Sequence, residues 1–396
     1  MTDTAQRRAE YRRRQTAFQR LLAENGLDGA MIVEAADLVY LTGTHQNMHL
    51  YVPAEGQPLL MVRRDLNAAR EDALVDNIVP LRSFRDLPRL MAEAGLRPPA
   101  RLGLEFDILP VAFFQQYQRV FPETRFADCS AILRRQRAVK SDYERMLLRE
   151  AGRRMDALYA RLPEVIAVGR GEAEAAGRFE ALARTAGHQG LVRMRGFNAE
   201  IFWGHFLAGE SAARPGPFDG AAGGPGPGPA FRFGSSGRPI MRDEPILVDY
   251  PGVFDGYLVD ITRIVVVGRL SAELVRAHEV ALEIQEHLVR EARPGATAGA
   301  LYDLALGMAR DAGLDAYFMG YGNPVPFVGH GVGIELNEWP VIARGAADVL
   351  EEGHVLALEP KFVFPGQGMV GIENTFIVGA AGLERITNFP DAVMEI

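Results

Sequence analysis

The stretch Pro245-Ile-Leu-Val-Asp249, followed after a turn by Tyr257-Leu-Val-Asp260-Ile-Thr-Arg-Ile-Val-Val-Val267, reads as two apolar strands. The first ends in an acid and the second carries one inside it. Pro251, Gly252, Asp255 and Gly256 lie between them, so the segment predicts an antiparallel hairpin. Such a hairpin brings Asp249 and Asp260 towards each other. Buried strands seldom keep unpaired carboxylates, and two that converge in an apolar setting repel unless a proton or a metal lies between them.

Downstream, Val328-Gly-His330-Gly-Val-Gly333 sets a histidine among glycines, where missing side chains leave room for an ion to approach, and Asn337-Glu-Trp-Pro340 closes that loop. Leu356-Ala-Leu-Glu359-Pro360 ends an apolar run in a third acid, and Met369-Val-Gly-Ile-Glu373-Asn-Thr-Phe-Ile-Val378 carries a fourth. Four strand-borne acids and one histidine suit two hard or borderline divalent ions held by bridging carboxylates. Such a pair activates water for attack on an amide carbonyl. Two long helical segments, Ser271 to Ala292 and Thr297 to Ala312, separate these strand-rich regions. The second part of the chain is therefore expected to be α+β with antiparallel pairing.

The first third alternates differently. A helical pattern from Tyr11 to Leu22 stops at Gly26, and short apolar runs at Gly29–Val33, Leu59–Val62, Ile78-Val79 and Leu102–Leu104 follow, with helical segments from Leu66 to Val75 and Leu87 to Ala94 between them. This predicts a small α/β layer domain. The basic stretch Leu133 to Lys140 is expected to be a solvated connector, and Ser141-Asp-Tyr-Glu144 has the capping-box form that opens a helix. A boundary there gives domains 1–137 and 138–396. Leu147, Ala151, Met155 and Leu158 make one apolar stripe on the new helix. Arg214 to Pro229, crowded with Gly and Pro, is expected to be a loop, and no strand feeds it as a phosphate cradle would require.

The 396 residues are 48% hydrophobic and 24% charged with a net charge of −8, which excludes a disordered chain and gives no basic field for nucleic acid. Cys129 is the single cysteine, so no internal disulfide or cysteine-rich zinc site is available. No stretch has the apolar length of a signal peptide core or membrane span, and the expected compartment is cytoplasmic.

In order and local context, Asp249, Asp260-Ile-Thr-Arg263, Gly329-His330-Gly-Val-Gly333, Glu359-Pro360 and Glu373 resemble the creatinase/prolidase/methionine aminopeptidase superfamily. The N-terminal α/β segment resembles the creatinase-type domain of prolidase and aminopeptidase P. The resemblance implies a pita-bread catalytic domain, a homodimer, and a hydrolase that cleaves short peptides at Xaa-Pro bonds. It also implies two divalent ions, with Mn, Co, Zn and Fe not distinguishable. Carried over by position, Asp249 is a ligand of one ion, Asp260 and Glu373 bridge both, and His330 and Glu359 complete the second. Glu359 also shuttles a proton.

Four positions depart from the superfamily pattern. Asn337 and Pro326 stand where histidines are usual, Arg232 stands where a further histidine is counted, and Gly371 replaces an arginine two residues before the last glutamate. Asn337, Arg232 and His205 are the candidate substrate contacts. Because the metal ligands are kept while their surroundings differ, two alternatives stay open. One is a C–N hydrolase of small molecules (creatinase or ectoine hydrolase type) or a lyase on the same fold. The other is a non-catalytic interaction protein.

Overall fold

The computed structural model describes residues 4–200 and 203–396. Its contacts divide into two units, one formed by Met1–Arg137 with Arg195–Ala199 and the other by Ala138–Met194 with Glu200–Ile396.

In the first unit a mixed sheet runs in the order Asn77–Pro80, Leu59–Val62, Met48–Pro53, Gly29–Ile32, Arg101–Leu104, Arg125–Asp128. Antiparallel pairs lie at its centre and parallel pairs on its flanks. The strand Met48–Pro53 was not among the runs expected from sequence. All six of its residues are buried, so no alternation marks it, and His49 and Pro53 disguise it as a turn. His49 is accommodated by a 2.7 Å hydrogen bond between its Nδ1 and the Tyr117 hydroxyl.

The basic stretch is not a solvated connector. It is the helix Ser130–Ala138 with a short continuation, and two of its cations are buried. Arg137 Nη1 lies 2.6 Å from Asp37 Oδ1, and Lys140 Nζ lies 3.0 Å from Glu338 Oε2. Their acids come from distant points in the chain, so no local pattern could have distinguished these residues from solvated ones.

Among the described residues the second unit holds two larger sheets and two two-stranded ones, Gly252–Phe254 with Tyr257–Val259 and Lys361–Phe364 with Gly368–Gly371. In one of the larger sheets, His205–Ala208, Ile246–Asp249, Thr262–Val266 and Met394–Glu395 lie side by side. The other runs Glu338–Ala343, Phe327–Gly331, Val355–Leu358, Asn374–Gly379, Gly382–Arg385. Helices Ala272–Glu291 and Ala298–Asp311 share a core with them, in which Ala277, Ala281, Ile284 and Leu288 meet Leu356, Phe362, Met369 and Phe376. Apolar stripes on the helices and two-sided burial of the strands account for this packing.

The expected hairpin is subdivided. Ile246–Asp249 pairs antiparallel with Thr262–Val266, Asp249 opposite Thr262, while Gly252–Phe254 and Tyr257–Val259 form a small hairpin of their own. The helix Asp142–Tyr159 begins with the expected capping box on Ser141 and Glu144. Ala151, Met155 and Leu158 of the expected stripe are buried, but Leu147 is only half-buried, and Leu148 and Gly152 widen the buried face. Glu144 is buried as well, 3.0 Å from the Tyr257 hydroxyl. Residues 214–229 form a loop without helix or strand, as composition implies. Among the described residues no helix is long and apolar enough to cross a membrane.

Gly152 marks the closest approach of that helix to the C-terminal segment: a Cβ there would lie 1.9 Å from the Ile386 carbonyl oxygen. Because backbone on both sides must move, Gly152→Ala is expected to destabilise the protein by about 3 kcal/mol. The midpoint of urea denaturation, read at constant slope, measures this.

Candidate metal centre

The acids lie where strands end. Asp249 closes its strand, Asp260 follows Tyr257–Val259, Glu359 follows Val355–Leu358, and Glu373 immediately precedes Asn374–Gly379. A bridge between Thr262 and Glu373 joins the two sheets at this point. Arg263, fully buried, fastens it: Nη1 donates to the carbonyls of Thr262 at 2.7 Å and Glu373 at 2.9 Å, and Nη2 donates to Asn374 Oδ1 at 2.8 Å. Burial lowers the Arg263 pKa to about 10, still charged at neutral pH.

His330 lies in the strand Phe327–Gly331, which is paired on one side with Glu338–Ala343 and on the other with Val355–Leu358. The glycines beside it serve backbone packing more than ion approach. A Cβ at Gly329 would lie 2.5 Å from the Ala357 oxygen, and one at Gly331 would lie 2.3 Å from the Trp339 oxygen. Imidazole Nδ1 lies 3.1 Å from the Gly331 carbonyl, which can only accept a hydrogen bond, so in the neutral ring Nδ1 carries the hydrogen and Nε2 the lone pair that a metal ligand needs. Nε2 faces Glu359 Oε1 at 3.6 Å and Glu373 Oε1 at 3.9 Å. Asp260, His330 and Glu373 each offer a ligand atom within 4.8 Å of the others.

The two oxygens of Glu373 have different roles. Oε2 accepts from the Thr262 hydroxyl at 2.8 Å and from Lys361 Nζ at 2.8 Å. Oε1, buried, has no hydrogen-bond partner. An orphaned carboxylate oxygen facing an imidazole lone pair is what a bound cation would satisfy. The donors fit a divalent ion, which Asp260, His330 and Glu373 could hold, with Glu359 and Asp249 alongside.

Lys361 was not anticipated. Its ammonium reaches Asp249 Oδ2 at 3.1 Å, Glu359 Oε2 at 2.7 Å and Glu373 Oε2 at 2.8 Å. The available signal was a lysine opening the otherwise apolar strand Lys361–Phe364, two residues beyond an acid. Burial alone would lower its pKa, but attraction to Asp249, Glu359 and Glu373 outweighs burial and holds it well above the ordinary lysine value. One ammonium cannot balance four acids. Burial, then repulsion from Glu373 and Asp249, therefore pushes Asp260 well above the usual carboxylate range. For Glu373, burial outweighs attraction to Lys361, and its pKa stands at about 8.

The cluster lines a cavity of about 100 Å³ whose other walls include His205, Phe218, Phe233, Phe327, Leu336 and Asn337. Phe218 to Ala222 come from the Gly/Pro-rich loop, which thus forms part of the cavity. His205 pairs in register with Asp249 and meets the Phe233 ring edge-on at 4.8 Å. Burial lowers its pKa to about 4, so it is neutral at pH 7. Asn337 lines the cavity from a turn braced by Glu338, whose Oε1 accepts from the backbone amides of Ile334 and Glu335 at 2.8 and 3.1 Å.

Arg232 is exposed and outside this lining, with its neighbour Phe233 facing the cavity instead. Pro326 is likewise displaced by Phe327. Gly371 pairs directly with Lys361 at φ +153°, where a Cβ would lie 2.5 Å from the Pro360 oxygen. No longer side chain fits there without backbone movement.

The sequence profile of metallopeptidase family M24 matches residues 146–380, more than half of the chain. The chain belongs to this family. Residues 14–139 match the creatinase/prolidase N-terminal domain. A Xaa-Pro dipeptidase of Pyrococcus horikoshii is 26% identical over 92% of this chain and 93% of its own. A probable dipeptidase of Mycobacterium bovis is 27% identical over 98% and 96%. The solved Xaa-Pro dipeptidase of Bacillus anthracis superposes with a TM-score of 0.83 at 23% identity, covering 98% of this chain and all of that one, and so shares the pita-bread architecture.

A second acidic group, Glu34, Asp37 and Glu105, lies in the first unit. There Asp37 accepts from Arg137 at 2.6 Å and Arg195 at 2.8 Å, and Glu105 Oε2 accepts from the amides of Val33 and Glu34, while burial and the neighbouring Asp37 push Glu105 well above the usual carboxylate range.

Asp260→Ala is expected to abolish metal uptake. In the native protein, Mn²⁺ at about a hundred times its dissociation constant stabilises folding by about 2.7 kcal/mol through mass action. Thermal unfolding with and without Mn²⁺ measures this, and the variant is expected to show no shift.

Proposed function

We propose that this M24-family protein is a metal-dependent hydrolase that cleaves short peptides at Xaa-Pro bonds. The observation that carries this reading is the placement of the acid–histidine cluster in a cavity that Phe218, Phe233, Phe327 and Leu336 also line. Flat aromatic faces suit a pyrrolidine ring, and the dipeptidases to which the chain is similar bear on the same substrate class. The small-molecule and lyase alternatives gain no support from these relatives.

Divalent metal, when bound, lowers the pKa of water and polarises the scissile carbonyl. Mn, Co, Zn and Fe all accept an oxygen-rich set with one imidazole, and the resemblance bounds the count at two. The remaining work belongs to the chain. Glu359 has Oε2 held by Lys361 and Oε1 turned to the His330 side, so the carboxylate that would help hold the ion is also placed to take a proton from water and pass it to the leaving amine. Asn337 donates a hydrogen bond to the carbonyl oxygen as negative charge builds there. His205, uncharged, offers a polar contact beside Phe233. The chemistry resides in the second unit. The rest of the reading is a cytoplasmic homodimer, which light scattering would record as twice 43.4 kDa.

The test is a panel of Xaa-Pro dipeptides, Xaa-Ala dipeptides and small C–N compounds with Mn²⁺ or Co²⁺ supplied. Metal-dependent release of proline is expected. Turnover confined to the C–N compounds would overturn the reading. Asn337→Ala is expected to lower kcat/KM on a Xaa-Pro dipeptide about a hundredfold, the usual cost of one oxyanion donor. An unchanged value would remove Asn337 from the substrate contacts.

A further inference from the structure

The expectation of two ions meets an obstacle in the cluster itself. An ammonium has three N–H donors, and those of Lys361 have three carboxylate acceptors, one each from Asp249, Glu359 and Glu373. The oxygens are divided between two directions. Oε2 of Glu359 and Oε2 of Glu373 turn to Lys361, while Oε1 of each turns to His330 Nε2. The spacings of 3.6 and 3.9 Å on the His330 side suit donors around a single ion with bonds of about 2.1 Å.

We infer that the Lys361 ammonium stands in for one of the two cations, and that the centre takes up a single divalent ion between Asp260, His330, Glu359 and Glu373. This rests on the metal-dependent reading above and deepens it. Three observations support a fixed rather than a displaceable lysine. Its side chain is 3% exposed, so withdrawal would strand a buried charge. Among the described residues its hydrogen-bond acceptors are the three carboxylates of this site. The neighbouring strand is also cleared for its stem, because a Cβ on Gly371 would lie 2.6 Å from Lys361 Cα and 2.9 Å from Cγ.

Lys361 is a positioning residue in this scheme. It neutralises charge on the Asp249 side and fixes which oxygen of Glu359 and of Glu373 faces the ion. Asp249 thereby becomes a partner of lysine instead of a metal ligand.

Metal stoichiometry decides the matter without reference to activity. The full-length protein is titrated with Mn²⁺ by calorimetry to millimolar concentration, and bound metal is counted by elemental analysis after brief desalting. The native protein is expected to bind one Mn²⁺ per chain. Lys361→Arg keeps the cation and is expected to bind one, while Lys361→Met keeps the stem without charge and is expected to bind two. Should the methionine variant fail to fold by circular dichroism, Lys361→Gly supplies the uncharged comparison. Two ions in the native protein would overturn the inference and leave the metallopeptidase reading intact. One ion in native, arginine and folded uncharged variants alike would overturn it too, since the lysine would then not set the count. No Mn²⁺ bound to any of them would overturn both.

Discussion

Four carboxylates enclosed by strands must be neutralised, and this constraint governs the second unit of the protein. Carboxylates of this kind cannot remain charged in an apolar interior without cations close by. Lys361 supplies one fixed positive charge, and the raised pKa values of Asp260 and Glu373 express the negative charge that remains. A divalent ion on the His330 side would supply what protons otherwise must. The site is therefore a charge-balance problem, solved in part by a covalently attached cation.

The fold meets this demand by placing each acid at a strand end, where the ladder no longer dictates side-chain direction. Thr262 and Glu373 meet in a single bridge, and Arg263 donates to both of their backbone carbonyls. A bend of either sheet would move the Glu373 carboxylate with its backbone. Rigid backbone anchoring of this sort holds ligand atoms to the few tenths of an ångström that metal binding requires. The loop from Gly331 to Glu338 is fixed similarly by the Glu338 carboxylate, itself held by Lys140. Buried charge recurs in the first unit, where Asp37 ties the helix of Arg137 to the irregular segment of Arg195.

The cavity reflects a division of labour between regular and irregular segments. Strands and the residues directly flanking them contribute the acids, the imidazole and Lys361, whereas Phe218 to Ala222 and Asn337 come from loops. Loops accept substitution without disturbing the ladders, so substrate selection can change while the metal chemistry stays in place. The replacement of the superfamily's histidines by Asn337 and Pro326 fits that pattern.

Much of the site was legible in the sequence because its signals are local. An acid at the end of an apolar run, a histidine among glycines and a capping box are each read within a few residues, and Asp249, Asp260, His330, Glu359 and Glu373 do converge. What tertiary structure alone decided depends on partners far apart in the chain. Sequence leaves Lys361 as the first residue of an apolar strand; only the folding of Asp249, more than a hundred positions away, against Glu359 and Glu373 makes it the counter-ion of the cluster. Arg137 and Lys140 looked solvated because Asp37 and Glu338 are remote in sequence. Arg232 fell outside the cavity because counting back from a motif cannot see how a loop turns, and the turn gave its place to Phe233. Composition and spacing determined which chemistry the chain could hold. The long-range pairing of charges decided how many cations the site has to find from outside.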